Sequence, residues 1–146
     1  MIDSLKKIKF YIKADDIMCC FDLIPYKKIF HPNMKKILHT LRITEYLSNC
    51  KWKYKWMWFP YFFNSRKLEK LSYICWYSIP LDVLGYGTFL AHHGMCIING
   101  ACPIGYYCAI MGNVTIADAN PKKIGDGVYF ATNVVVAGKN GYGIRL

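Results

Sequence analysis

The residues of this chain best suited to chemistry are two adjacent histidines, His92 and His93, in the stretch "LAHHGMCIINGACPIG" (residues 90–105). An imidazole titrates near neutral pH, so it can take a proton from a hydroxyl and return it later. Both sit inside a run, Val83 to Ala117, that contains no Lys, Arg, Asp or Glu. Cysteine offers less. The seven cysteines are irregularly placed, Cys19 and Cys20 are adjacent, and no C-x-x-C occurs. Neither a disulfide framework nor a metal site is therefore expected.

The elements that must position the histidines come from a repeat. Leu84, Leu90, Ile98, Ile104, Ile110, Ile116, Ile124, Phe130 and Val136 recur at intervals of six, with two intervals of eight. The fourth residue after each is often small or β-branched: Thr88, Gly94, Cys102, Cys108, Val114, Val128 and Val134. Neither a helical period nor simple alternation generates this spacing. A six-residue unit with one inward aliphatic residue predicts a parallel β-helix, each short strand forming one side of a prism. Cys102 and Cys108 then read as small interior residues. The rival register Cys96, Cys102, Cys108 is rejected because it would move Ile98, Ile104, Ile110 and Ile116 off the ladder together. Between Leu90 and Ile98 the register holds two residues too many, where "AHHGMC" stands, so at least one histidine should bulge onto the surface. The second long interval, "IADANPKKI", predicts a loop, and two such excursions could wall a cleft.

The front of the chain has a different character. Of the formal charge of +10, residues 1–81 carry +9 and residues 82–146 carry +1. That shift predicts two units, a helical, basic and aromatic region over 1–78 and a β-helical domain over 79–146. Residues 32–47 read as an amphipathic helix with Pro32 in its first turn and Met34, Ile37, Leu38 and Leu41 on one face. A second helix is predicted over 65–76, capped by Ser65 with Leu68, Leu71 and Cys75 inward, and a shorter one over 2–13. Between the main helices "KWKYKWMWFPYFF" (51–63) alternates lysine with aromatics. Packing with the lysine heads in solvent is the leading expectation, beside base stacking or weak membrane-surface contact. Although the uncharged run is long enough to span a bilayer, its glycines, Pro103, Asn99 and Asn113 argue against a span. The charged opening "MIDSLKKIKFYIKADD" carries no secretory signal, and a cytoplasmic protein is expected.

With the ladder and "LAHHG" in hand, the chain resembles the serine acetyltransferase-like family of hexapeptide-repeat acyltransferases, including its capsular polysaccharide O-acetyltransferase branch. The likeness covers roughly residues 30–139. "LRITEYL" (41–47) is similar to that family's helix motif before the prism, "IPLDVLGYGTFLAHHG" to the start of the prism, and "PKKIGDGVYFATNVVVAG" to the stretch after the long loop. The resemblance implies an α+β chain with an N-terminal helical segment and a left-handed parallel β-helix, assembled as a homotrimer with active sites between prisms. It implies an O-acetyltransferase that uses acetyl-CoA as cosubstrate, with no metal and no nucleic-acid partner.

Carried over residue by residue, the family's general base falls on His92, with His93 as a wall residue. Acetyl-CoA contacts fall on Ala131 and Thr132, and acceptor contacts on Tyr77 and Asn120. There are departures. The family's Asp beside the base is Ala91 here, its second active-site His is Asn120, and its serine-binding Asp is Tyr77. The last two favour a sugar or polysaccharide hydroxyl over serine, with the Tyr77 ring as a platform for a pyranose. The other readings are a serine O-acetyltransferase of cysteine biosynthesis and an inactive trimeric scaffold. The ending "GKNGYGIRL" does not continue the ladder, so a truncated C-terminal end is expected.

Overall fold

In the computed structural model, residues 1–19, 32–117 and 124–137 are described. The described residues are α+β, with three α-helices followed by short parallel strands. Helix α1, Leu5–Met18, begins at Ser4, whose Oγ accepts from the Lys7 amide at 3.3 Å. It thus starts and ends later than the predicted 2–13. Helix α2 spans Pro32–Cys50, and a 3₁₀ turn at Lys55–Met57 leads into α3, Trp58–Cys75.

Helix α3 begins seven residues before the predicted cap Ser65. Ser65 instead lies mid-helix, where its hydroxyl donates to the Phe62 carbonyl at 2.8 Å, a way for a serine to satisfy itself inside a helix. Pro60 stands in the first turn of α3, where a missing N–H costs nothing. That was the available start signal. Beyond α3, Trp76 adopts a left-handed conformation (φ 62°) and turns the chain into the first strand.

The strands are β1 (Tyr77–Ser78), β2 (Phe89–Leu90), β3 (Cys96–Ile98), β4 (Ala109–Ile110), β5 (Val114–Ile116), β6 (Tyr129–Phe130) and β7 (Val135–Val136). They form one sheet in the order β1-β3-β5-β7 and another in the order β2-β4-β6. A third line of parallel bridges joins Leu84 to Ile104 and Ile104 to Ile124. Partners such as Leu84 and Ile104, or Phe89 and Ala109, are 20 residues apart, so successive turns of the chain lie on one another. Gly85 and Gly105 mark this close approach. A Cβ on Gly85 would collide with the carbonyl oxygen of Gly105.

Ladder residues Leu84, Leu90, Ile98, Ile104, Ile110, Ile116 and Phe130 are all buried, while Ile124 and Val136, on the last described turn, are partly so. One inward position differs from the expectation. Cys96, not Gly94, pairs with Val114 and is fully buried. The two extra residues fall before Cys96, so the small inward position is displaced by two along the chain. Burial pushes the Cys96 thiol up to about 12, which removes it as a nucleophile at neutral pH.

The helices join the strands through one continuous apolar cluster that includes Met34, Leu38, Leu41 and Cys75 with Leu84, Leu90 and Ile110. At its edge Arg42, Asp15 and Glu45 are buried together. Arg42 Nε lies 2.8 Å from Asp15, its Nη1 lies 3.2 Å from Glu45, and Nη1 also donates to the Leu84 carbonyl at 2.8 Å. Asp15 accepts from the Thr88 amide and Glu45 from the Asp82 amide, each at 2.9 Å. Two helices therefore grip the backbone of residues 82–88, the segment leading into β2. Among the described residues, no helix is long and apolar enough to cross a membrane.

Candidate active site

Three connectors stack at the corner between the β2-β4-β6 sheet and the β3-β5-β7 edge. Residues 111–113 and 131–133 are the short ones. Residues 91–95 are longer by the two residues foreseen in the repeat, and they carry both histidines. His92 and His93 are both exposed.

The longer connector is held by its backbone. Gly94 has φ +150°, and a Cβ there would lie 2.9 Å from Asn113 Oδ1, so glycine is required on both counts. The same Asn113 oxygen accepts from the Met95 amide at 3.1 Å. From below, Gly112 lies against this connector, where an added Cβ would meet the His93 carbonyl oxygen at an ordinary contact distance of 3.4 Å. From inside, the Tyr77 hydroxyl donates to the His92 carbonyl at 2.6 Å.

Tyr77 corrects an expectation. It is only 5% exposed, in β1, with its hydroxyl also 3.3 Å from Met34 Sδ. Burial raises its pKa well above the ordinary phenol range. The ring offers no open face to a sugar; it is a clamp on the connector. Asn120 and the loop around it lie outside the described residues.

Ala131 and Thr132 are exposed on the third connector. That connector is tied to the second by the Asn133 amide donating to the Gly112 carbonyl at 3.3 Å. The fold therefore brings His92, His93, Ala131 and Thr132 to one corner, with Met111–Asn113 between them. Stacked strands lie about 4.8 Å apart, so the first and third connectors are separated by roughly 10 Å. No charged residue stands on the described parts of this corner.

Two features escaped the sequence reading. His39 Nε2 lies 2.6 Å from Asp16 Oδ1, with Lys35 Nζ 3.5 Å from Asp16 Oδ2. This pair ties α2 to α1, and residues from different helices leave no periodic trace. A concavity of about 330 Å³, lined by Phe10, Lys13, Ala14, Ile17, Met18 and Tyr107, lies beside α1 rather than at the histidine corner. Among the described residues, no group of three His, Cys, Asp or Glu side chains could hold a metal ion.

No protein-family model, curated protein or solved structure matches the chain.

Proposed function

We propose that the chain is an acetyl-CoA-dependent O-acetyltransferase whose stacked turns form a left-handed parallel β-helix, and that it acts on a sugar or polysaccharide hydroxyl. The observation that carries this reading is the histidine connector: two extra residues place two exposed imidazoles on a corner otherwise free of charge. His92 is the general base. It takes the proton of the acceptor hydroxyl as that oxygen attacks the thioester carbonyl. The C–S bond then breaks, and the thiolate of CoA leaves and takes up a proton. Ala131 and Thr132, two turns along the same corner, are the residues to touch acetyl-CoA. Serine is the poorer acceptor, because the described parts of this corner carry no charged residue to pair with its ammonium or carboxylate.

A homotrimer is part of the same proposal. The row Ile97, Thr115, Val135 is in register and begins two residues after the connector. Ile97 and Val135 are exposed, and a neighbouring copy packed there would complete a cleft beside the histidines. The inactive scaffold is favoured by two departures, Ala91 in the place of an orienting carboxylate and Asn120 in the place of a second histidine. Release of CoA thiol, measured across L-serine and a panel of hexoses and amino sugars, tests both. Turnover of sugars supports the proposal, preference for serine refutes the acceptor, and turnover of none supports the scaffold.

A further inference from the structure

The segment Lys51–Lys70 leaves most of its aromatic side chains in water. Trp52, Trp56, Phe59, Phe62 and Phe63 are between 54% and 76% exposed, which overturns the expectation that this stretch packs inward. Phe59, Phe62 and Phe63 stand at i, i+3 and i+4 and so share one face of α3, with the Phe59 and Phe63 rings 4.8 Å apart. Trp52 meets Trp58 edge-on at 5.1 Å, which joins the preceding turn to this cluster. Arg66 and Lys70 continue the Phe59–Phe63 face one and two turns on, and both are exposed. The segment has six basic residues and one acidic residue.

Contiguous exposed apolar surface marks an interaction site, and the charge pattern selects its occupant. The cores of protein interfaces are depleted of lysine, whose hydrated ammonium resists burial. Here Lys53 and Lys55 are exposed on either side of Tyr54 and next to Trp52 and Trp56, so a dry protein partner would have to bury or displace ammonium groups. A bilayer interface accommodates both kinds of residue. Indole rings rest at headgroup depth, lysine stems lie along them, and the ammonium groups reach lipid phosphates. A net positive segment then favours an anionic leaflet. We propose that residues 51–70 are a peripheral docking surface for an anionic lipid bilayer. The Phe59–Phe63 face lies among the headgroups, and Arg66, Lys70, Lys53 and Lys55 contact their phosphates.

Flotation of the full chain with phosphatidylcholine vesicles, with and without phosphatidylserine, tests this. Binding is expected to the phosphatidylserine vesicles, with a blue shift in tryptophan emission and weakening as salt rises. Lys53→Gln/Lys55→Gln should weaken it by roughly 25-fold, from about fivefold per basic residue near an anionic surface. Phe59→Ser/Phe62→Ser should weaken it by about tenfold or more. Unchanged thermal unfolding would confirm that these surface variants fold. The proposal is overturned by folded protein that fails to float with anionic vesicles, by equal binding to neutral ones, or by double variants that bind like the parent. A change in oligomeric mass in Phe59→Ser/Phe62→Ser with vesicle binding intact would assign the face to a second copy. Preference for a single-stranded oligonucleotide over vesicles would equally overturn it.

Discussion

The histidine corner depends on two residues of unlike burial. His92 is exposed, while Tyr77 lies in the interior and holds the His92 carbonyl through one hydrogen bond of 2.6 Å. In the proposed reaction His92→Ala should lower turnover by roughly 10²- to 10⁴-fold, the range for a lost general base, with the melting temperature unchanged. His93→Ala should cost much less. Equal losses, or a larger one for His93, would move the base to the neighbour. Tyr77→Phe removes the donor but keeps the packing, so it should cost about 0.5–1.5 kcal/mol in stability. It should also lower kcat more than it raises KM, because the base loses its backbone anchor while the acetyl-CoA contact is untouched. A purely structural tyrosine would move the melting temperature alone.

At the scale of elements, the union of helices and strands rests on a buried charge cluster as well as on apolar packing. Burial pushes the carboxyls of Asp15 and Glu45 above their ordinary range, further than Arg42 pulls them down. Burial also opposes charge on Arg42, yet Glu45 and Asp15 outweigh it and raise its pKa. A carboxylic acid with a raised folded-state pKa binds its proton more tightly in the native chain than in the unfolded one. Its contribution to stability is therefore present below the unfolded pKa, near 4, and is lost as pH rises through the folded value, by at most about 1.4 kcal/mol per pH unit for each group. Glu45→Gln cannot titrate, so it should flatten the decline in melting temperature as pH rises above about 4 relative to the parent. A parent and variant whose melting curves run parallel across that range would show that Glu45 does not titrate in the native chain.

At the scale of the whole molecule, the few described turns have much surface for their interior. Its outward row is apolar at Ile97 and Val135, and Tyr129 of β6 is exposed as well. Three copies packed around these faces would cover them with a closed symmetry that leaves no further edge to pair. Light scattering coupled to size exclusion should give about three times the monomer mass. Val135→Lys should shift that mass toward the monomer, because it places an ammonium in the proposed contact. A monomeric parent would remove the neighbour that the cleft requires.

The ladder was legible in the sequence because inward positions in stacked turns obey one local rule: the same side chain type returns at each corner. Leu84, Ile104 and Ile124 are aligned by the chain's own period before any partner is considered. The two-residue excess at His92 and His93 was legible for the same reason, as a break in that period. Helix α2 was visible through the stripe Met34, Ile37, Leu38, Leu41. Arg42 and Glu45 lie beside that stripe, but nothing local says that a charge there meets Asp15 from another helix. The role of Tyr77 was likewise hidden, since its hydroxyl reaches a carbonyl fifteen residues away only after β1 pairs with β3. The fate of the Trp and Phe cluster was hidden too. Composition gives the rings their apolar character, but whether a ring is covered depends on which face of α3 meets α2, and that is settled only when the helices pack. Period and pattern are written along the chain; burial and partnership between distant residues exist only once it has closed on itself.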